Sequence, residues 1–173
     1  MCLPAKLAIE KMKEVEISVK FFEYENLTEL TPEYQVLVEK AKKVALKAYA
    51  PYSKFKVGAA VLLADGTIVT GNNQENVAYP SGLCAERVAI FQANALYPDQ
   101  PVKAIAVSSM YKGIYNENPV YPCGACRQVL LETQNRYNTP IEVIMHGTNA
   151  IQRVSNIKSL LPLSFDFNLI SED

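Results

Sequence analysis

Three cysteines and one glutamate are the residues of this sequence best suited to chemistry. Cys84 lies two positions before Glu86, and Cys123 and Cys126 form a Cys-x-x-Cys pair. Three thiolates can hold a zinc ion and leave its fourth tetrahedral position to a water, whose pKa then falls from 15.7 to about 7. A carboxylate beside that water can move protons. The pattern therefore indicates hydrolytic chemistry and not a purely structural zinc.

Both cysteine motifs stand where helices are predicted to begin. Backbone N–H groups in a first helical turn have no intrahelical partner, and the helix dipole is positive there, so both favour thiolate over thiol. Three thiolates on a divalent cation leave a net charge of about −1. Arg87, which directly follows the first motif, is predicted to offset this charge and tune the metal. Arg127 is either a second such cation or a surface arginine near a helix start.

Two other interpretations of the cysteines are possible. A redox-active Cys-x-x-Cys pair would not explain why Cys84 and Glu86 stand two positions apart upstream of it. A closed structural zinc site would need a fourth ligand, and Cys2 and His146 are the only other cysteine or histidine in the chain. His146 ends an apolar run and is predicted to be a strand-end residue, not a catalytic one.

Length, charge and hydropathy narrow the possible function classes. The chain has 173 residues, enough for one domain with a proper core, and a net charge of −1, which argues against nucleic acid as a partner. No stretch approaches about 18 consecutive apolar residues, so no membrane span is expected. The first residues are too polar for a secretory signal, which predicts a cytoplasmic protein whose clustered cysteines bind metal.

Periodic apolar patterns predict an α/β fold, a three-layer α/β/α sandwich with a mixed central sheet. The predicted elements, in chain order, are a helix from Thr31 to before Pro51, a hairpin over 55–70 turning at Asp65-Gly66, a helix from Cys84 through Leu96, a strand over 102–110, a polar loop over 111–121, a helix after Pro122, strands over 141–146 and 151–154, and a short helix over 157–161.

The first 30 residues form a separate expectation. Apolar and charged or polar residues alternate over 14–22, which predicts a half-buried strand. Residues 1–30 are therefore interpreted as an extension packed on a catalytic domain over 31–173. Such a strand could add an edge to the sheet, cover an interface or swap between subunits.

The two motifs resemble a known pattern. Zinc nucleobase deaminases carry His/Cys-x-Glu followed downstream by Pro-Cys-x-x-Cys, and here the sequence reads Cys84-Ala85-Glu86 and Pro122-Cys123-Gly124-Ala125-Cys126. Beyond these motifs the chain resembles the cytidine deaminases that act on free nucleosides. The matching stretches are 50–60, 73–76, 79–87 and 122–130, together with Leu160-Leu161-Pro162, and the likeness covers about 32–166.

The resemblance implies hydrolytic deamination of free cytidine and 2'-deoxycytidine in pyrimidine salvage, with release of ammonia. It implies that Cys84, Cys123 and Cys126 bind zinc, and that the metal-bound hydroxide attacks C4 of cytosine. Glu86 would take the proton from the water and deliver protons to the base and the departing amine. A homotetramer is implied as well, with a dimer as the alternative.

The resemblance also implies which residues bind the nucleoside. Phe55 would pack on the pyrimidine face, Asn73 and Glu75 would bond the ribose 3'-hydroxyl, and Ala85 would contact substrate. Phe165 would reach the site of a neighbouring subunit. One departure is Tyr121, which stands before the Pro-Cys pair where many relatives carry a small serine.

The predicted contact of Glu75 with a free 3'-hydroxyl has a consequence for substrate class. In RNA or DNA the 3'-oxygen carries a phosphate, which would face the carboxylate without donating a hydrogen bond. Free nucleosides are therefore expected as substrates, and nucleic acid polymers are not. Less favoured alternatives are a deaminase of another amino-heterocycle, such as an aminopyrimidine antibiotic, a polymer-editing deaminase, and a zinc-stabilised interaction module without activity.

Overall fold

A mixed sheet of seven strands forms the middle layer of the computed structural model, which describes residues 13–166. The strands are β1 (Phe22–Tyr24), β2 (Phe55–Leu63), β3 (Ile68–Asn72), β4 (Val102–Tyr111), β5 (Ile114–Tyr115), β6 (Glu142–His146) and β7 (Ile151–Val154). Their order across the sheet is β1-β7-β6-β4-β2-β3, and β5 pairs with β4. β4 and β6 run parallel and the other pairs antiparallel, so the predicted mixed sheet is confirmed.

Helices cover both faces of the sheet, as the three-layer prediction requires. The helices are α1 (Pro32–Ala45), α2 (Ala85–Leu96) and α3 (Gly124–Tyr137). Successive residues of β2 point to opposite faces, so Ala60 and Leu62 pack into a core with residues of α1. Ala59, Val61 and Leu63 join the other core, which includes residues of α2 and α3. Each face of the sheet thus carries its own buried apolar cluster.

The local signals at the start of α1 and at the hairpin that follows it act as predicted. The Thr31 hydroxyl accepts a hydrogen bond from the N–H of Tyr34 at 3.4 Å, and Pro32 opens α1. The hairpin between β2 and β3 turns at Asp65-Gly66, where Gly66 has a φ of 88°. A positive φ is open to glycine at little cost, which explains why this dipeptide marks the turn.

A glycine on β3 lets α2 approach the sheet closely. A Cβ at Gly71 would lie 2.4 Å from the backbone nitrogen of Ala89 and 2.8 Å from the carbonyl oxygen of Ala85. Both distances are well inside van der Waals contact. The beginning of α2, which carries Cys84 and Glu86, is therefore set against β3 at a distance that only glycine permits.

The predicted strand over 14–22 is wrong. Only Phe22 belongs to a strand, and β1 continues to Tyr24. Val15 and Ile17 are 69% and 49% exposed, although alternation predicted that such residues would be buried. The physical reason is the length of the neighbouring strand. Because β7 has only four residues, it can form strand hydrogen bonds with β1 but not with the residues that precede β1. The division at residue 30 into extension and catalytic domain stays a prediction.

Two further elements differ from the sequence prediction. The polar loop over 111–121 contains the short strand β5, which folds back on the end of β4. The predicted helix over 157–161 is a single 3₁₀ turn, Ile157–Leu160. Within residues 13–166 no helix is both long and apolar enough to span a bilayer.

Candidate active site

The N-termini of two helices bring the three cysteines together. Cys84 is the residue before α2 and Cys123 the residue before α3, and both have extended backbone angles. Cys126 lies in the first turn of α3 and is buried. The three sulfurs therefore belong to residues at the N-termini of two helices, as predicted from the sequence, and the positive end of each helix dipole stabilises negative charge there.

The sulfur positions fit a tetrahedral zinc ion. The Sγ atoms of Cys84 and Cys123 are 3.8 Å apart, those of Cys123 and Cys126 are 3.4 Å apart, and all three lie within 4.8 Å of one another. Sulfurs bound to one zinc at about 2.3 Å with tetrahedral angles would be separated by about 3.8 Å. The three side chains therefore need only small adjustments to share a metal.

No fourth cysteine, histidine or carboxylate joins this group among the described residues. His146 ends β6, as predicted, and its Nδ1 lies 3.1 Å from the Ser108 hydroxyl. Cys2, the other candidate for a closed site, lies outside the described residues. Over residues 13–166 the three sulfurs have no fourth protein ligand, which matches the open coordination of a catalytic zinc site.

Cationic and hydrogen-bonding groups favour the thiolate form at Cys84. The thiol of Cys126 and the guanidinium of Arg87 act as donors to this sulfur and, against its partial burial, lower the pKa of Cys84 to about 5. The Nη2 atom of Arg87 lies 3.6 Å from Sγ of Cys84. The pKa of the buried Cys126 is shifted upward by the same pairing and by burial. This position of Arg87 supports its predicted metal-tuning role, which stays a prediction.

Glu86 lies beside the cysteine cluster on the first turn of α2. Its side chain is 5% exposed, and this burial raises the pKa of its carboxyl above the ordinary value, while the negative charge of the Cys84 thiolate acts in the same direction. A carboxyl whose pKa is raised gives up and takes back a proton more readily near neutral pH. The environment of Glu86 therefore suits the proton transfer predicted for it.

A cleft of about 690 Å³ opens from the cysteine cluster. Its volume lies within the range of about 300–1,000 Å³ that holds small-molecule ligands. The cleft brings together most of the residues singled out in the sequence, namely Phe55, Asn73, Glu75, Cys84, Ala85, Glu86, Arg87 and Cys123. Two of the three cysteines and Glu86 thus share one cavity with the residues predicted to contact the nucleoside, while Cys126 is buried behind it.

Asn73 and Glu75 have a positioning role that the sequence did not reveal. The amide of Asn73 accepts from the N–H of Val57 at 2.7 Å and donates to the carbonyl of Phe55 at 2.9 Å. The Glu75 carboxylate accepts from the N–H groups of Tyr52 and Ser53 and from the Ser53 hydroxyl. The hydrogen bond from the Ser53 hydroxyl is the largest of the interactions that lower the pKa of Glu75, so this carboxylate is charged at neutral pH.

Phe165 and Arg127 lie apart from the reacting groups. Phe165 is 68% exposed and does not line the cleft of its own chain, while its carbonyl accepts from Gln128 at 2.8 Å. Its predicted contact with a neighbouring subunit stays a prediction. Arg127 donates to the carbonyls of Pro122 at 2.7 Å and Leu160 at 2.8 Å. It therefore ties the residue before Cys123 to the C-terminal part of the chain, a structural task that neither sequence interpretation included.

Comparison with known protein families places this cleft among zinc-binding deaminases. Residues 31–139 match the sequence profile of the family described as the cytidine and deoxycytidylate deaminase zinc-binding region. The cytidine deaminase of Sporosarcina psychrophila is 50% identical over 99 residues, which cover 57% of this chain and 68% of that protein. The cytidine deaminase of Halalkalibacterium halodurans is 46% identical over 100 residues, 57% of this chain and 70% of that protein.

Solved structures resemble this fold in the same way. The cytidine deaminase of Burkholderia pseudomallei superposes with a TM-score of 0.66 at 41% identity, covering 76% of this chain and 98% of that one. The cytidine deaminase of Mycobacterium tuberculosis superposes with a TM-score of 0.61 at 34% identity, covering 77% of this chain and 97% of that one. The likeness thus extends over nearly the full length of these structures.

Proposed function

Because the chain belongs to the cytidine and deoxycytidylate deaminase family of zinc-dependent hydrolases, we propose that it converts free cytidine and 2'-deoxycytidine to uridine and 2'-deoxyuridine with release of ammonia. The observation that carries this proposal is the arrangement of the cleft. Cys84 and Cys123, two of the three cysteines whose sulfurs are suited to one zinc, line a cavity of nucleoside size together with the buried Glu86, Asn73 and Glu75, and the third cysteine, Cys126, is buried beside them.

The chemical step draws on the metal site and on Glu86. Cys84, Cys123 and Cys126 would hold a zinc ion, whose Lewis acidity would lower the pKa of a coordinated water from 15.7 to about 7. The Glu86 carboxylate accepts a proton and delivers protons to N3 of the ring and to the departing amine, so one group acts as both base and acid. Its burial keeps bulk water from competing for those protons. Arg87 offsets the negative charge of the sulfurs.

The substrate is oriented by residues from three separate segments. Phe55, the first residue of β2, packs on the face of the pyrimidine, and Asn73 holds its carbonyl in place. Ala85 opens α2, where the backbone N–H groups have no intrahelical partner and can donate to the base carbonyl. Asn73 and Glu75 bond the ribose 3'-hydroxyl. These contacts hold the base with C4 toward the sulfurs.

Glu75 selects free nucleosides over polymers in this proposal. Its carboxylate is fixed by Tyr52 and Ser53 and is charged at neutral pH. A substrate phosphorylated at the 3'-oxygen would bring a second negative charge to this carboxylate and offer it no donor. The predicted contacts include none to the 2'-hydroxyl, so cytidine and 2'-deoxycytidine are both accepted.

The surface around the cleft supports a homo-oligomer, which we propose to be a tetramer with a dimer as the alternative. Val77, Tyr79 and Phe165 are all exposed, and Tyr79 lines the mouth of the cleft. Exposed apolar side chains that lie close together in the chain, as Val77 and Tyr79 do beside the cleft, are typical of interaction surfaces. Phe165 would then enter a neighbouring subunit's cleft. We further propose a cytoplasmic location and no membrane or nucleic acid partner, in keeping with the net charge of −1.

The direct test is loss of absorbance in the cytidine band when purified protein is mixed with cytidine, with product identified as uridine and with ammonia measured. Protein stripped of zinc by a chelator serves as the control and should regain turnover when zinc is restored. Free cytosine and a short cytosine-containing RNA are tested in parallel. Turnover of the RNA in preference to cytidine, or none with any of the three, would contradict the proposal.

A further inference from the structure

Arg153 of β7 binds the end of the N-terminal segment, by which we mean residues 13–24, to the sheet. The guanidinium lies 4.6 Å from the centre of the Phe22 ring, and its Nε donates to the Tyr24 hydroxyl at 3.0 Å. The same guanidinium forms an ion pair with Glu142 of β6. Two side chains of β1 are thus held by one arginine that is itself fixed to the centre of the sheet. The residue between them, Glu23, has a defined position as a result.

Glu23 faces Gln152 across the pair of strands, and Gln152 faces Tyr121. Glu23 and Gln152 are partners in the register of β1 and β7. The Gln152 Nε2 donates to the Glu23 carboxylate at 2.6 Å, and its Oε1 accepts from the Tyr121 hydroxyl at 2.7 Å. Because a carboxylate accepts and cannot donate, Glu23 decides which end of the amide points at Tyr121. A continuous chain of hydrogen bonds therefore runs from the N-terminal segment to Tyr121.

Tyr121 forms part of two neighbouring cavities. On one side it lines the active cleft together with Val120 and Cys123. On the other it lines a groove of about 290 Å³, whose walls include Phe21 and Gln152. The ring is 50% exposed, so packing alone does not fix it. The hydrogen bond from its hydroxyl to Gln152 therefore helps to fix the position of the tyrosine ring in the wall of the cleft.

The metal-ligand segment next to Tyr121 is held independently. Arg127 donates to the Pro122 carbonyl at 2.7 Å and to the Leu160 carbonyl at 2.8 Å. Losing the contact between Tyr121 and Gln152 therefore frees the tyrosine ring without releasing Cys123. Such a change should alter how the cleft receives its ligand and leave the metal in place.

We propose that Tyr121 is a positioning residue at the wall of the active cleft, and that the N-terminal segment acts on it through Glu23 and Gln152. The proposal rests on the proposed function for its substrate, but the coupling of the three side chains is a property of the fold. It assigns a role in ligand binding to residues that lie outside the matched family region, since Glu23 precedes residue 31 and Gln152 follows residue 139.

The test is a double-variant cycle with Tyr121→Phe, Glu23→Ala and the two combined. We measure kcat and KM for cytidine and, by calorimetry, the Kd of uridine, which the enzyme does not turn over. Each single variant should raise KM and the uridine Kd by about two- to tenfold, the effect of one net hydrogen bond. The kcat and zinc content should stay within about twofold, and Glu23→Ala should add nothing once Tyr121 has lost its hydroxyl. Glu16→Ala, an exposed carboxylate of the same segment, should change neither constant.

The outcomes separate this proposal from the activity itself. Unchanged KM and Kd in Glu23→Ala, or full additivity of the two variants, would overturn it. A lowered melting temperature without a change in either constant would assign Glu23 to strand pairing alone and would also overturn it. If the wild-type protein does not deaminate cytidine, the proposed function fails, whereas the uridine Kd of the four proteins still reports the coupling.

Discussion

The Sγ atoms of Cys84 and Cys123 lie 3.8 Å apart, although the two residues are 39 positions apart in the chain. Each stands directly before a helix, and both helices pack on the same face of the sheet. The packing of α2 and α3 therefore builds the metal site, because it brings two helix N-termini to one point. Changes that shift either helix should affect zinc binding even where they touch no ligand.

Gly71→Ala should lower both the melting temperature of the protein and its affinity for zinc. The added Cβ would lie 2.4 Å from the backbone nitrogen of Ala89, and overpacking of this kind costs about 1–3 kcal/mol. For a chain of this size each kcal/mol corresponds to about 2–4 °C in melting temperature. Thermal unfolding and zinc retention against a chelator measure the effect. Gly124→Ala is the matched control, because its Cβ would meet no atom within 4 Å; equal losses in both variants would refute the packing argument.

Glu86→Gln should keep zinc and lose turnover. The substitution preserves size but removes the group that accepts and returns the proton, and general acid-base catalysis contributes about 10²–10⁴-fold. Metal content by elemental analysis and kcat with cytidine are the measurements. Glu132→Gln, an exposed glutamate of α3, serves as the control and should behave as wild type. Turnover within about twofold of wild type in Glu86→Gln would remove Glu86 from its assigned role.

Glu75→Gln should narrow the preference for cytidine over cytidine 3'-monophosphate. The change removes the negative charge that would oppose the phosphate, so the ratio of kcat/KM values should fall by roughly tenfold. Ser53→Ala is the matched control, since it removes a hydrogen bond to Glu75 and keeps the charge. If the ratio stays the same in Glu75→Gln, or falls equally in both variants, the contact with the ribose is misassigned.

His146 should make the fold less stable in acid. Burial comes first among the causes that lower the pKa of His146 to about 4, and the positive charge of Lys42 adds to it. An unfolded histidine has a pKa of about 6.5. Between these values the unfolded chain binds the proton and the folded chain does not, so stability is complete above pH 6.5 and falls as pH drops toward 4. The loss contributed by this group is up to about 3 kcal/mol.

Denaturant unfolding of wild type and His146→Gln at several pH values between 4 and 7.5 measures this contribution. Because acid protonates thiolate ligands, both proteins should lose zinc to the same extent. The difference between the slopes of their unfolding free energies against pH therefore isolates the histidine. His146→Gln should show the shallower dependence. Parallel curves for the two proteins would mean that His146 is protonated equally in the folded and unfolded chain.

The sequence predicted those parts of the fold that depend on local signals. Thr31 before Pro32 marked the start of α1, and Asp65-Gly66 marked the hairpin, because cap and turn geometry are set by neighbouring residues. The three sulfur ligands were predictable because metal-binding residue types at that spacing have few other uses. Their closeness in space, by contrast, depends on the packing of two helices, and the sequence indicated it only indirectly, through the prediction that both cysteine motifs stand at helix starts.

The parts that were missed depend on partners distant in the chain. The alternation of residues 14–22 predicted a strand, but strand pairing requires a partner edge, and β7 is too short to supply one. The bonds from Asn73 to Phe55 and Val57 were not foreseen, since nothing local shows which backbone groups an amide will meet. The tie between Tyr121 and Gln152 spans 31 positions and was hidden for the same reason.

The coordination of the metal tests the central claim most directly. X-ray absorption at the zinc edge of the purified protein should show three sulfurs at about 2.3 Å and one oxygen or nitrogen at about 2.0 Å. The spectrum of His146→Gln should be unchanged, which would exclude the imidazole as the light ligand, and that of Glu86→Gln should also keep a light ligand, as expected for solvent. Four sulfurs, or a light ligand that disappears in His146→Gln, would show a closed site and contradict the account.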